Sequence, residues 1–316
     1  ERLKAAVVGM GFIGVAHVEA LRRAPYVDVV AIADSFGAKE KAERLGVPAG
    51  YADYEEMMDK CKPDCVHVCT PNSMHMDVAM AAIRRGINVV CEKPMARNAD
   101  EAQKMVDAVR ESGVIGALNF HNRYYPIPYQ MRRMVQNGEL GNIYHVQGGY
   151  LQDWLQHKTD FSWKLLSDQC GKTRATADLG SHWIDLAEYV TGQKVKEVFA
   201  EFKTIYPQRT QMTKDGPEEV DIDTEDFSCV MLRFDGGAVG AATFSAVFPA
   251  NVGALPEQGI PNDNTTTANT IKSFIMFLPK TYMATGTKIN LINETTYTFQ
   301  SENASKILLL DITIPI

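Results

Sequence analysis

Residues 4–14 read KAAVVGMGFIG, and this stretch decides the fold of the first part of the chain. Its apolar start predicts a buried β-strand that ends at Gly9, and apolar residues then recur at near-helical spacing as far as Leu21. Gly9, Gly11 and Gly14 have the spacing G-x-G-x-x-G. A strand, a glycine-rich turn and a helix in this order predict the first unit of a parallel, doubly wound sheet.

The same glycines predict a binding site for a dinucleotide. Gly9 permits a tight turn, Gly11 lets a pyrophosphate approach the backbone, and Gly14 lets the helix pack closely on the strand. The helix that starts near Phe12 and Ile13 presents unpaired N–H groups to the phosphates. The alternative is a purely structural turn of glycines.

Asp34 ends the second predicted strand, 20 residues after Gly14. This separation is typical of the acidic residue that accepts hydrogen bonds from the adenosine ribose of a dinucleotide. A carboxylate here repels the 2′-phosphate of NADP, so NAD is the favoured cofactor. Ser35 and Lys39 lie nearby in the sequence and keep NADP possible.

The strand and helix patterns predict two domains. Apolar runs of strand length at residues 4–8, 27–33, 65–69, 87–91 and 114–118 alternate with helical patterns. Over residues 1–122 this predicts a Rossmann dinucleotide-binding domain of α/β class, with a parallel sheet covered on both faces. Residues 123–316 are richer in strands, and Asp235-Gly236-Gly237 is a hairpin signal. We expect an α+β substrate-binding and oligomerisation domain there, with an open antiparallel or mixed sheet.

Thr70, Pro71 and Asn72 follow the third strand. Ligands bind at the carboxyl ends of parallel strands, so we expect this loop to line the cofactor cleft. Asn72 is equally compatible with capping the next helix. We expect His75 on the surface of that helix, with a cofactor contact as the alternative.

Glu92, Lys93 and Pro94 directly follow the fourth strand. Glu92 and Lys93 are therefore expected beside the cofactor. Lys93 can donate a hydrogen bond to a substrate hydroxyl and stabilise a developing alkoxide. In isolation, these three residues are equally compatible with an ordinary surface turn.

Asp178 and His182 are four residues apart in DLGSHWIDL, which places them on one face of a helix. Asp178 can hold one imidazole nitrogen of His182, which leaves the other free to take a proton. Asp185 is a rival partner for the histidine. A solvated helix face is the alternative reading of this pattern.

The motifs GMGFIG, CTPNSMH, CEKP and DLGSHWIDL, with Asp34 between the first two, occur in an order that resembles the Gfo/Idh/MocA family of oxidoreductases. The resemblance covers about residues 3–248. It implies a Rossmann domain followed by a domain with an open, mostly antiparallel sheet. It also implies NAD(P)-linked hydride transfer from a hydroxyl of a sugar, cyclitol or related polyol.

The resemblance implies that Lys93, Asp178 and His182 match the catalytic residues of the family. His182 then removes the hydroxyl proton, Lys93 holds the same oxygen, and Asp178 orients the histidine. A homodimer or homotetramer through the sheet face is implied if the second sheet is complete. Two alternatives remain: a glycosidase-like enzyme that oxidises its substrate transiently with bound NAD, and a non-enzymatic dinucleotide sensor.

Substrate contacts are expected from two segments near the predicted cleft. NFHNRYYP supplies Arg123 and Tyr124, and GGYLQDWLQHKTDFSW supplies Gln152 and Trp154. Charged, amide and indole groups suit polyols, which present hydroxyls and a weakly apolar ring face. For Trp154 and Trp163, a place in the core or an interface is the alternative.

Composition excludes several classes of protein. The chain has 316 residues, a net charge of -7 and a pI near 5.6, which argues against a nucleic-acid binder with a broad basic surface. No apolar run approaches the ~20 residues of a membrane-spanning helix. The six cysteines include no C-x-x-C pair, so no metal is expected, and thiols within strands suit a reducing cytoplasm.

The last part of the chain differs in composition. Only 9 of residues 250–316 are charged, and Asn and Thr together make up 18 of these 67 residues. From about residue 250 the resemblance ends. This change motivates the hypothesis of a frameshifted or otherwise replaced tail, with a divergent edge of the sheet as the alternative.

Overall fold

The computed structural model describes residues 2–247 and, for the backbone alone, residues 290–291, 297–298 and 308–309. The hypotheses about the tail therefore concern residues that lie almost entirely outside the described part of the chain. Within the described residues, no helix combines the length and apolar character needed to cross a membrane.

The first layer is a six-stranded parallel sheet in the order β3-β2-β1-β4-β5-β6. Its strands are β1 (Leu3–Val8), β2 (Val27–Ala33), β3 (Gly50–Tyr51), β4 (Cys65–Val68), β5 (Asn88–Glu92) and β6 (Gly116–Asn119). The central strands are apolar on both sides because helices cover both faces, which is typical of parallel sheets. The predicted Rossmann architecture is confirmed, and only the two-residue β3 was missed.

The helices that cover this sheet are α1 (Phe12–Arg22), α2 (Ala38–Leu45), α3 (Tyr54–Cys61), α4 (Asn72–Arg84) and α5 (Ala99–Ser112). Asp53 and Asn98 cap α3 and α5 through side-chain hydrogen bonds, whereas no side chain caps α1 or α4. No capping side chain occupies the first N–H groups of α1 and α4, which follow β1 and β4, so these groups are available to a ligand.

The second layer is a mixed sheet in the order β15-β7-β12-β11-β8. Its elements are α6 (Pro126–Gln136), β7 (His145–Leu151), α7 (Ser167–Cys170), α8 (Ser181–Thr191), β8 (Val195–Lys203), β11 (Phe227–Phe234), β12 (Val239–Ser245) and β15 (Leu308–Leu309). β7 runs parallel to both of its neighbours, whereas the other pairings are antiparallel. The predicted boundary at residue 122 falls in a short 3₁₀ helix, His121–Tyr124, between β6 and α6.

The turn residues in the sequence predicted one of two hairpins and missed the other. Asp235-Gly236-Gly237 connects β11 to β12 as predicted, and Gly237 has a φ of +91°. The hairpin of β9 (Gln208–Thr213) and β10 (Gly216–Asp221) was missed. Its strands are polar and pair only with each other, so the sequence lacks the apolar alternation that marks a half-buried strand. The remaining short strands, β13 (Asn290–Leu291) and β14 (Tyr297–Thr298), also pair with each other.

The chain approaches the first sheet again between β7 and β8. A 3₁₀ turn (Trp163–Leu165), α7 and a π-helical turn (Thr176–Gly180) lead directly into α8. The helix predicted to carry both Asp178 and His182 therefore begins with a π turn that holds Asp178, and His182 lies in α8. Gly180 is required there, because a Cβ atom would lie 2.6 Å from the ring of Phe244.

Candidate active site

The glycine loop after β1 has the geometry of a dinucleotide site. Gly9 has a φ of +90°, and a Cβ atom on it would lie 2.6 Å from the carbonyl oxygen of Cys69. A Cβ atom on Gly14 would lie 1.9 Å from the carbonyl oxygen of Gly9, so helix α1 packs directly on the turn. No atom lies within 4 Å of the Cβ position of Gly11, which leaves space for a phosphate to reach the backbone.

The beginning of α1 fits an anion. Its first turn contains no acidic residue and no side-chain cap, so its N–H groups are free to bind phosphate. The side chain of Phe12 is 90% exposed, and that of Ile13 packs on the core. Both side chains are apolar, so these two residues can bind a phosphate only through their backbone N–H groups. The Thr70 hydroxyl is buried without a hydrogen-bond partner among the described residues, as expected of a group that awaits a ligand. These residues fit the predicted dinucleotide.

Asp34 stands at the end of β2 and closes the far side of the loop. Its carboxylate accepts hydrogen bonds from the backbone N–H groups of Met10 (2.7 Å) and Phe36 (3.0 Å) and pairs with Lys41 at 2.9 Å. Burial raises the pKa of Asp34, but the hydrogen bonds from Lys41, Phe36 and Met10 outweigh this effect and lower it. The neighbouring cation is thus Lys41 rather than the predicted Lys39.

Substituting Asp34 with alanine is expected to raise the KM for NAD by about tenfold or more, because hydrogen bonds to a charged group contribute about 1.5–3 kcal/mol. The KM for NADP is expected to fall relative to that for NAD, because Lys41 is left free near the ribose. Steady-state kinetics with both cofactors measure the ratio, and Lys39→Ala is the control. An unaltered preference would contradict a ribose contact by Asp34.

The structure contradicts the capping alternative for Asn72 and the surface position expected for His75, whereas the expected place of Asn72 beside the cofactor stays a prediction. Asn72 does not cap α4; its side-chain amide donates to the carbonyl of Cys170 at 3.3 Å and so links the two layers. His75 is buried rather than on the surface. Its Nδ1 lies 2.8 Å from the carbonyl oxygen of Pro94 and its Nε2 lies 2.9 Å from that of Thr70. The ring therefore connects the two loops that border the cleft.

Lys93 and Asp178 form the central ion pair of the cleft. Lys93 Nζ donates to Asp178 Oδ1 at 2.7 Å and to the Asp178 carbonyl at 3.1 Å. Lys164 Nζ donates to Asp178 Oδ2 at 2.7 Å, so one carboxylate lies between two ammonium groups. Burial opposes ionisation of Asp178, but the two lysines lower its pKa far below the ordinary value. Asp178 is ionised throughout the physiological range.

The expected hydrogen bond between Asp178 and His182 is absent. Both oxygens of Asp178 bond to lysines, those of Asp185 bond to Arg123, and His182 Nδ1 has no partner among the described residues. The π turn before α8 alters the spacing that a regular helix gives an i, i+4 pair. Asp178 therefore orients Lys93 directly, and the prediction that Asp178 holds the imidazole is not met in this structure.

His182 is buried among aromatic rings. Its ring centroid lies 5.0 Å from that of His121, 5.9 Å from that of Phe120 and 6.1 Å from that of Tyr150. Burial, with the nearby charge of Lys93, lowers the pKa of His182 to about 3. The imidazole is consequently neutral near pH 7, which is the form that can accept a proton.

The expected substrate residues lie on two segments, one after β6 and one after β7. Arg123 binds Asp185 through two nitrogens and lies over the ring of Tyr189, whereas Tyr124 is 81% exposed. On the other segment, Lys164 Nζ lies 5.9 Å from the ring centroids of both Trp154 and Trp163. The two indoles are partly exposed and belong to neither hydrophobic core. Gln152 directly follows β7, and its backbone N–H donates to the carbonyl of Ser245 at the end of β12.

Lys164 is the site residue that the sequence reasoning missed. It follows Trp163 in a polar stretch without helical or strand periodicity, and no motif marks it. The one sequence signal that was available is that Lys164 directly follows Trp163, at the end of an aromatic-rich segment. Only the fold brings it to Asp178, together with Lys93 from the other layer.

A Rossmann sheet with an open glycine loop, beside a buried histidine and a lysine–aspartate pair, defines a dinucleotide-dependent oxidoreductase. Two family models of the Gfo/Idh/MocA family match the chain. The model described as "Oxidoreductase family, NAD-binding Rossmann fold" matches residues 3–120, and the model described as "GFO/IDH/MocA C-terminal domain" matches residues 129–258. The chain belongs to the Gfo/Idh/MocA family, and the predicted fold, enzyme class and NAD cofactor are confirmed.

Several relatives share most of the described chain. Levoglucosan dehydrogenase of Pseudarthrobacter phenanthrenivorans is 30% identical over 263 residues, which cover 76% of this chain and 67% of the relative. Myo-inositol 2-dehydrogenase of Thermotoga maritima is 28% identical and covers 75% of this chain and 67% of the relative. A crystal structure of an NAD binding oxidoreductase from Klebsiella pneumoniae superposes with a TM-score of 0.72 at 31% identity, covering 78% of this chain and 67% of that one. The chain thus spans about two thirds of the length of these proteins.

Proposed function

We propose that this protein oxidises a secondary hydroxyl of a sugar or cyclitol and passes the hydride to NAD, with Lys93, Asp178 and His182 as its catalytic residues. The observation that carries the proposal is the Lys93–Asp178 pair at 2.7 Å, located beside a neutral, buried His182. Relatives named for levoglucosan, myo-inositol and D-glucoside oxidation support this substrate class.

In this mechanism the residues of the chain bind the substrate and move the proton. Gly11 and the start of α1 hold the pyrophosphate, and Asp34 holds the ribose. Lys93, oriented by Asp178, donates a hydrogen bond to the substrate hydroxyl oxygen and stabilises the negative charge that develops on it. His182 accepts the hydroxyl proton as a neutral imidazole. Bound NAD supplies the acceptor for the hydride.

Asp178 and Lys164 prepare Lys93 for this role. A carboxylate held ionised by two lysines keeps a negative charge beside Lys93 Nζ and fixes its direction. Trp154 and Trp163, which flank Lys164, present apolar faces that suit the C–H face of a sugar ring. Arg123 and Gln152 remain candidates for binding the other hydroxyls.

A panel of sugars and cyclitols, screened for NADH formation at 340 nm, tests the proposal. We expect net NADH with at least one member, and levoglucosan, myo-inositol and D-glucosides are the first choices because of the relatives above. Product formation without net absorbance would instead indicate an enzyme that reoxidises bound NADH within each turnover.

We also infer a homodimer or homotetramer that assembles through the open face of the second sheet. Phe199 on β8 and Met231 on β11 are cross-strand partners, and they are 68% and 64% exposed. Ala241 on β12 continues the row beyond Met231. An exposed apolar row across three strands is typical of a protein interface.

Introducing a charge into this row is expected to dissociate the oligomer. Met231→Asp removes apolar contact area and places a carboxylate in the interface, so we expect a shift to the monomer mass in light scattering after gel filtration. Lys104→Glu is the control, because Lys104 is exposed on α5 of the first layer, away from this sheet. Equal masses for the wild type and Met231→Asp would contradict assembly through this face.

We infer a cytoplasmic location from the state of the cysteines. The six thiols are free, and Cys69, Cys91 and Cys170 are buried. Unpaired thiols within a folded core suit a reducing compartment. Fractionation of the producing cells tests this inference, and recovery of the protein with an oxidising compartment would contradict it.

A further inference from the structure

A chain of buried polar side chains lies under the catalytic turn and has no role in the mechanism above. His17 on α1 stands at its centre. Its Nδ1 lies 2.9 Å from Nδ1 of His67 on β4, and its Nε2 lies 2.9 Å from Oε1 of Glu92 on β5. Asn119 at the end of β6 donates to the same Glu92 oxygen at 2.5 Å.

The hydrogen-bond chemistry fixes the direction of the central contact. Burial opposes ionisation of Glu92, but the hydrogen bonds from His17 and Asn119 lower its pKa to about 2. An ionised carboxylate only accepts hydrogen bonds. His17 Nε2 must therefore carry a proton and donate a hydrogen bond to Glu92. In a neutral His17 ring that is protonated at Nε2, Nδ1 is the acceptor, so His67 Nδ1–H donates the hydrogen bond between the two rings.

Glu92 also bonds to the backbone of the turn that carries Lys93. Its second oxygen, Oε2, accepts the backbone N–H of Lys93 at 3.2 Å. The Glu92 side chain is buried, and both of its oxygens are bonded within the protein, whereas its expected contact with the cofactor stays a prediction. The peptide that carries Lys93 is therefore held by a carboxylate that α1 and β6 hold in turn.

We propose that His17 is a positioning residue that fixes Lys93 through Glu92, and that it thereby couples the pyrophosphate-binding helix to the catalytic lysine. The proposal rests on the proposed role of Lys93. α1 begins at the glycine loop, and His17 lies on that helix, so one buried chain joins the phosphate site to the substrate site. An error of 1 Å in the position of a reacting group is enough to cost about 10²-fold in rate.

The burial of this chain favours a functional role for it. A buried carboxylate and two buried or half-buried imidazoles destabilise the fold unless every group is bonded. Apolar residues between a helix and a sheet carry no such cost in free energy. The rest of the interface between α1 and the sheet is built from apolar side chains such as Val18 and Leu21. The polar groups stand only where the interface meets the Lys93 turn.

Two isosteric variants of His17 separate positioning from simple packing. In His17→Gln the side-chain amide nitrogen takes the place of Nε2 and keeps the donor to Glu92. In His17→Asn the amide takes the place of Nδ1, faces His67 and leaves Glu92 without that donor. We expect His17→Gln to keep kcat within about threefold and His17→Asn to lower it by about 10–100-fold. The KM for NAD is expected to change little in both, because the N–H groups at the start of α1 are untouched.

The outcomes are distinguishable from a failure of the proposed function. Equal kcat values for the two variants, at matched melting temperatures, would overturn the positioning role while Lys93→Met still abolished activity. Full activity of Lys93→Met would overturn the role of Lys93 itself, and the present inference with it. If His17→Asn fails to fold, His17→Met replaces it: methionine fills the space of the imidazole but donates no hydrogen bond to Glu92, and unchanged kcat there would overturn the inference.

Discussion

Replacing His182 with alanine is expected to lower kcat by roughly 10²–10⁴-fold and to leave NAD binding nearly intact. The imidazole is the only buried, neutral proton acceptor beside the Lys93–Asp178 pair that we find among the described residues, and alanine cannot take the proton. Steady-state kinetics and quenching of protein fluorescence by NADH measure the two effects. The control is His157→Ala, because His157 is exposed and uses its backbone for its hydrogen bonds.

The pH profile gives a second check on the same residue. Because burial and Lys93 lower the pKa of His182 to about 3, the imidazole stays unprotonated as the pH falls from 7 to 5. We therefore expect no loss of kcat with an apparent pKa near 6.5. Such an acid limb in the wild type, absent from His182→Gln, would show that the histidine titrates normally in the working enzyme and would contradict this environment.

Replacing Lys93 with methionine is expected to lower kcat by about 10²–10³-fold, the effect typical of losing one donor to a developing oxyanion. Methionine keeps the length and packing of the side chain but donates no hydrogen bond. Lys164 remains bonded to Asp178, so the carboxylate keeps one of its two cations and the fold is expected to survive. Initial rates of NADH formation measure the loss.

Two further variants delimit the role of Lys93. Lys104→Met on the exposed face of α5 is the control for the loss of one charge. Lys164→Met removes the other partner of Asp178 and is expected to cost less than Lys93→Met, because its ammonium lies beside two indoles and only orients the carboxylate. A larger loss of kcat for Lys164→Met than for Lys93→Met would indicate that Lys164, and not Lys93, binds the substrate oxygen.

The first layer was predictable in detail because its signals are local. β2 spans Val27–Ala33, the range that its apolar run predicted. A strand of a parallel sheet is buried on both faces, so burial appears as a continuous apolar run. The glycine spacing predicted the cofactor loop for the same reason, because Gly14 packs on the backbone of Gly9 within the same short motif.

The site was predictable in its members and less so in their pairing. Lys93, Asp178 and His182 do come to one cleft, but the expected bond between Asp178 and His182 is replaced by bonds from two lysines. A single π turn is not detectable from helical periodicity, and it is enough to rotate an i, i+4 pair apart. His75 was assigned to the surface because a helix pattern does not reveal which polar residue meets a loop from another strand.

By itself the sequence determined the parallel sheet, the cofactor loop and the class of chemistry, since hydrophobic period and motif spacing act over short stretches of chain. Only the tertiary structure decided that Lys93 meets Asp178 across 85 residues of sequence, that His17 meets Glu92 across 75, and that Lys164 belongs to the site. Such contacts depend on how separate elements pack, and a lysine or histidine in a polar stretch looks the same whether it faces water or a buried carboxylate.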